Sequence, residues 1–183
     1  VLGVGFSLYA LEPTLLAYTQ DGKKYSKVEY KHSPNTTHLS NIIWQLQPKL
    51  DLVVRKEIAT AVDKHSKKYG FPPELIVSII QRESSFRLIT TSKAGCKGLM
   101  KINPSAHPEK LKKLKINNGN IYHIDNNIHL GCMVLHEYYG RTKSIEKALR
   151  KYLGGNNQKY VNDILSSFTT LVIDKKMIED NKS

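Results

Sequence analysis

A mainly α fold is predicted for this 183-residue chain, on three observations. Apolar residues recur at helical spacing, as in Ile76, Ile79, Ile80 and again Ile124, Ile128, Leu135. Helix punctuation separates those stripes: Gly70 with Pro72-Pro73, then Gly140, then Gly154-Gly155. No stretch shows sustained strand alternation, and no internal repeat is visible. The expectation is a bundle of short helices, with room for a small β-hairpin in the Ile89–Lys97 loop.

The elements follow in order. Residues 1–49 have a texture of their own: an almost wholly apolar start to Leu11, then a polar stretch with turn signals at Asp21-Gly22 and Ser33-Pro34-Asn35. They are read as an N-terminal arm, either the remnant of a signal or anchor segment or a packed, partner-binding one. Residues 1–18 are the candidate contact with a protein partner or a membrane, being too short and interrupted to span a bilayer alone. From Leu50 to Tyr69, Val54, Ile58, Val62 and Tyr69 share one side, and Gly70 supplies a stop. Pro72-Pro73 then opens a helix in which Ile76, Ile79, Ile80 and Glu83 stand at i, i+3, i+4 and i+7. Asn103-Pro104-Ser105 starts a short helix or turn, and Glu109–Lys115 reads as a lysine-dense surface segment. Ile124, Ile128, Gly131, Cys132, Leu135 and Tyr139 line a further helix that Gly140 would end, with Gly131 permitting a close helix contact. Ile145, Ala148, Leu149 and Tyr152 mark the next stripe, and Tyr160, Ile164, Phe168 and Leu171 the last. The folded domain is placed at residues 50–175, with 176–183 as a polar tail.

Composition narrows the function. The chain is 40% hydrophobic and 24% charged, as in soluble globular proteins. Lys+Arg 28 against Asp+Glu 16 gives a net charge of +12, which favours an anionic partner: nucleic acid, anionic lipid or cell-wall polymer. Lys110, Lys112, Lys113 and Lys115 would serve a nucleic-acid surface, but no aromatic stacking pattern or helix-turn-helix signal accompanies them. Cys96 and Cys132 are too few for a disulfide scaffold; they are read as buried free thiols, with a single bridge as the alternative. His129, Cys132 and His136 lie at helical spacing but lack a fourth zinc ligand, so no metal is assigned.

Glu83 is the residue that points to chemistry. A carboxylate on an isoleucine stripe is costly to ionise, so it raises its pKa and keeps its proton. Such a neutral acid can protonate a glycosidic oxygen. The competing reading is an ordinary helix end whose carboxylate bends out to water. Asp125 is the nearest candidate for a second acid and is better read as a helix N-terminal residue. His65 is read as a core or cap histidine.

A series of short motifs bears on that choice. Tyr69-Gly70-Phe71-Pro72-Pro73-Glu74-Leu75-Ile76, Glu83-Ser84-Ser85-Phe86, the loop Ser92 to Met100 ending in Gly98-Leu99-Met100, Asn127-Ile128-His129-Leu130-Gly131, and Ala148 to Tyr152 follow one another. In that order they resemble the catalytic domain of soluble lytic transglycosylases, which have a lysozyme-like fold related to goose-type lysozymes. The resemblance implies a lysozyme-like multi-helix domain and cleavage of peptidoglycan between N-acetylmuramic acid and N-acetylglucosamine with a 1,6-anhydro product. It implies Glu83 as the one catalytic acid and base. Ser84, Ser85, Gly98, Leu99, Met100, Lys101 and Tyr152 are the implied substrate-binding set, with Tyr152 similar to a family tyrosine that hydrogen-bonds the acid. No cofactor is implied. The chain departs from the family at Lys101, where Gln is usual, and at Leu153, where Asn is usual. Peptidoglycan strands are the expected partner, and nucleic acid is not expected. The expected setting is the bacterial periplasm or envelope, or a phage virion component delivered to it, serving wall penetration by a virion or a secretion or conjugation machine. The alternatives are a goose-lysozyme-like hydrolase and a non-catalytic basic module on the same scaffold.

Overall fold

A computed structural model describes residues 34–180, with side chains through 175; the candidate contact at residues 1–18 lies outside the described residues. Its helices are α1 (Pro34–Leu46), α2 (Leu52–Tyr69), α3 (Pro73–Ser84), α4 (Pro108–Leu114), α5 (Ile124–Thr142), α6 (Ile145–Leu153) and α7 (Gln158–Asp180), with a 3₁₀ turn at Pro104–Ala106. The mainly α expectation holds. In place of a hairpin, the 90–102 segment makes isolated bridges, Thr91 with Lys97 and Lys97 with Ile102.

Local chemistry sets the boundaries. Asp51 caps α2, its Oδ1 accepting from Val53 N at 2.8 Å and Val54 N at 3.2 Å. Gly70 closes it in the left-handed conformation, φ 70°. Pro73 occupies the first turn of α3, where a missing N–H costs nothing. α2 packs between α1 and α5; α3 packs on α7, and α6 on α5. Ile58 and Val62 of α2, Ile76, Ile79 and Ile80 of α3, and Ile128 of α5 are fully buried in the common core. Removing any one isoleucine side chain down to Ala costs about 2–5 kcal/mol.

Several elements differ from the sequence reading. Pro34, read as part of a turn, is the first residue of α1, a position its fixed φ suits. Leu39, Ile42 and Ile43 of that helix are buried. α5 passes through Gly140 and closes at Lys143, φ 53°. The lysine-dense segment is α4, and Lys110 is not a surface lysine: it is 7% exposed and pairs with Glu109 and Glu137. That removes it from any basic face. α7 runs to Asp180, into the segment read as a polar tail. Both cysteines are free thiols, Cys132 buried and Cys96 half-buried. No helix among the described residues is long and apolar enough to cross a membrane.

The seam between α2 and α5 holds a polar cluster. His65, with a 1% exposed side chain, bonds Asp125 Oδ1 through Nε2 at 2.9 Å. Its ring stacks on His129 at 4.3 Å, and His129 Nε2 meets Tyr69 Oη at 3.0 Å. Asp125 also accepts from Lys64 at 2.9 Å. Burial pushes the Asp125 pKa up, but the bonds from Lys64 and His65 hold it below the usual range. Asp125 is thus a paired structural acid.

Candidate active site

Glu83 sits in the last turn of α3, half-buried, where the helix breaks. Ser85 closes the helix at φ 50° and Phe86 follows at φ 62°. Two successive left-handed residues reverse the chain, at roughly 1–2 kcal/mol each. Phe86, 2% exposed, offsets part of that by burying its ring. The turn thus fixes the acid at the lip of the core. Desolvation raises the Glu83 pKa; a hydrogen bond from Tyr160 and the charges of Arg82 and Lys101 oppose it.

Tyr160 Oη donates to Glu83 Oε1. Burial, then the charge of Glu83, push the Tyr160 pKa up, so the phenol keeps its proton and stays a donor. Arg82 lies over the Tyr160 ring at 5.3 Å and pairs with Asp163 at 3.4 Å. The acid is therefore held from α7, an element remote in sequence.

Facing it is the turn Gly98–Lys101, closed by Lys101 N to Gly98 O at 3.2 Å. Asn127 of α5, fully buried, holds that turn. Its Oδ1 accepts from Met100 N at 2.8 Å, and its Nδ2 donates to Lys97 O at 3.0 Å and Ile121 O at 2.9 Å. Gly98, φ 78°, lies so close that a Cβ there would stand 2.2 Å from Asn127 Nδ2. Gly131 makes room in the same way for the Met100 side chain; a Cβ would stand 2.3 Å from its Sδ. The close contact expected at Gly131 is therefore with a cleft residue. Tyr152 Oη donates to Met100 O at 2.8 Å, and Lys101 Nζ donates to Thr90 Oγ1 at 2.7 Å.

The site is thus a half-buried acid with a tyrosine donor, close to a glycine turn that a buried asparagine fixes. The transglycosylase SLT domain matches residues 60–163. The chain belongs to that family. A transglycosylase of Enterobacteria phage PRD1 is 36% identical to this chain over 93 residues, which are 51% of this chain and 33% of the relative. An inactive mutant of the lytic transglycosylase Slt from Pseudomonas aeruginosa superposes with a TM-score of 0.58 at 21% identity, over 75% of this chain and 28% of that one. The 70-kDa soluble lytic transglycosylase of Escherichia coli superposes at a TM-score of 0.49 and 18% identity, over 75% of this chain and 24% of that one. The likeness to the Pseudomonas protein shows the fold. The chain spans about a third or less of the length of these three relatives.

Within this SLT domain the residues named from sequence fall into distinct places. Lys101 lies close enough for its charge to act on Glu83, and burial, then the charge of Glu83, push the Tyr152 pKa up, so that phenol stays neutral. Gly98, Leu99 and Met100 form the facing turn, with Leu99 and Met100 fully buried. Ser84 is 1% exposed and its hydroxyl turns back to Ile80 O at 3.1 Å, so it faces the helix. Ser85 is exposed, and its backbone carbonyl accepts from Gln47 Nε2 at 3.3 Å. The hydroxyl on the acid belongs to Tyr160; Tyr152, expected there, bonds the Met100 carbonyl instead. Sequence reasoning saw Tyr160 only as part of an apolar stripe, and Asn127 only as part of a motif. Its place on the apolar helical stripe, three residues after Ile124 and four before Gly131, was the available signal for the latter.

Proposed function

We propose that this domain is a peptidoglycan lytic transglycosylase that uses Glu83 alone for both proton transfers. The observation that carries the reading is the environment of that carboxyl group. Desolvation raises its pKa, and among the described residues the charges that act on it are those of the cations Arg82 and Lys101, with no second carboxylate beside them. A hydrolase of the ordinary retaining or inverting kind works with a second carboxylate at a set separation.

The chemistry follows. Tyr160 occupies Oε1, leaving Oε2 to carry the proton toward substrate. Glu83 donates that proton to the oxygen linking N-acetylmuramic acid to N-acetylglucosamine, and the C1–O bond breaks. The resulting carboxylate is then stabilised by the Tyr160 hydroxyl and the nearby cations, which favour its charged form. It takes the proton of the muramic acid C6 hydroxyl as that oxygen closes on C1. The products are a 1,6-anhydro sugar and a new N-acetylglucosamine end, with Glu83 protonated again. Ser85 and Lys101 border the acid, and the Gly98–Met100 turn floors the cleft.

The substrate places the enzyme's action in the bacterial envelope. Local wall penetration by an assembly such as a phage virion is supported by the phage PRD1 relative. Purified protein should clear peptidoglycan suspensions, and Glu83→Gln should abolish clearing while keeping the helical circular dichroism of the wild type. A fully active Glu83→Gln protein would sink the reading.

A further inference from the structure

Residues 84–108, between Glu83 and Glu109, hold Arg87, Lys93, Lys97 and Lys101 and not one Asp or Glu. This stretch makes the turn after the acid and the cleft wall opposite it. Elsewhere in the fold, cations such as Lys64, Arg82, Lys110 and Arg150 each hold a carboxylate. Among the described residues the four on this wall do not. Their hydrogen bonds go to neutral groups. Arg87 Nε reaches Ser84 O at 3.0 Å, Lys97 Nζ reaches Asn118 Oδ1 at 3.0 Å, and Lys101 Nζ reaches Thr90 Oγ1 at 2.7 Å.

Lys101 is also held in an unusual backbone state. Its φ is 50°; of the other non-glycine residues at positive φ, Ser85, Lys115 and Lys143 close helices and Phe86 continues the turn that Ser85 begins. Lys101 closes no helix. A side chain in this region is strained, and such strain collects at functional sites. Thr90, whose own backbone carbonyl accepts from Gly98 N at 3.0 Å, steadies the ammonium. One of its three N–H donors is used, leaving two for a ligand. Its charge also reaches Glu83, where it opposes the raised pKa.

We propose that Lys101 is the centre of a carboxylate-binding subsite beside Glu83, which makes the domain selective for glycan strands bearing free carboxylates. The proposal rests on the transglycosylase reading above and adds the chemical class of strand that the cleft takes. The strands offer that chemistry from two sources: the lactyl group where the stem peptide has been removed, and the stem peptide itself where it remains. A lysine, being a compact charge on a flexible stem, can meet either.

The test uses strands with and without stem peptides, each with carboxyl groups free or converted to amides. For the wild type, KM on free-carboxylate strands should be about three- to fivefold lower than on the amidated ones. Lys101→Gln should lose that ratio and Lys101→Arg should keep it. Because the ratio is taken within one enzyme, a change in Glu83 acidity cancels. The background that shows the preference identifies the source of the carboxylate. Equal KM on free and amidated strands in both backgrounds, or a preference that survives Lys101→Gln, overturns the subsite and leaves the lyase reading standing. Binding of the same strands to Glu83→Gln, with and without Lys101→Gln, reads the subsite without turnover. A carboxylate preference in binding with no cleavage by the wild type would keep the subsite and remove the lyase reading.

Discussion

Gly98→Ala should be among the most damaging small substitutions in the domain, and Gly70→Ala provides its measure. Both glycines have left-handed backbones, φ 78° and 70°. At Gly70 an added Cβ meets nothing within 4 Å, so the change costs only the backbone strain, about 1 kcal/mol. At Gly98 the same Cβ would stand 2.2 Å from Asn127 Nδ2, 2.6 Å from its Cγ and 2.9 Å from its Oδ1. Asn127 cannot swing aside cheaply, because it is fully buried and bonded to Met100 N, Lys97 O and Ile121 O. Overpacking adds about 1–3 kcal/mol. Any of those groups left unpaired adds about 1–3 kcal/mol more. Gly98→Ala should therefore cost about 3–7 kcal/mol in urea unfolding at pH 7, several-fold more than Gly70→Ala, and should lower activity through the displaced turn. Equal losses in the two variants would refute the claim that Asn127 locks the cleft wall.

Further outcomes follow from the same geometry. Asn127→Ala should cost about 3 kcal/mol or more by urea unfolding, since it strands buried backbone groups. The double variant with Gly98→Ala should cost less than the two singles added, because both act on one contact. Tyr160→Phe removes a hydrogen bond to the charged form of Glu83, worth about 1.5–3 kcal/mol, or roughly 10- to 100-fold in rate. That bond lowers the Glu83 pKa, so its loss should move the high-pH limb of the activity profile upward; an unmoved limb would separate Tyr160 from the acid. Burial first, then the charges of His65 and Lys68, hold the His129 pKa at about 4, below the usual 6.5. The unfolded chain takes up that proton first, so stability present above pH 6.5 should be lost as pH falls toward 4. His129→Gln should flatten the dependence of the urea midpoint on pH across that window.

What was legible in the sequence was what rests on local spacing. The α3 stripe put Glu83 against the isoleucines, and Gly70, Pro73 and Gly154 marked real boundaries because their backbone chemistry allows little else. α1 was missed although Leu39, Ile42 and Ile43 have helical spacing, since Pro34-Asn35 serves a turn and a helix start equally well. Lys110 looked like surface because its partner Glu137 is on α5, a contact between helices that no window of sequence contains. The identity of the tyrosine on Glu83 failed for the same reason. Tyr152 and Tyr160 both lie on apolar stripes, and only the packing of α3 on α7 brings the second to the acid.

The central claim is that one carboxyl group carries both proton transfers and that no water enters the bond. Digestion of peptidoglycan in water enriched in ¹⁸O, followed by mass spectrometry of the released muropeptides, tests it directly. A one-acid lyase gives 1,6-anhydro ends without the heavy label, and Glu83→Gln gives none. Reducing muramic acid ends carrying one ¹⁸O would contradict it and make the domain a hydrolase.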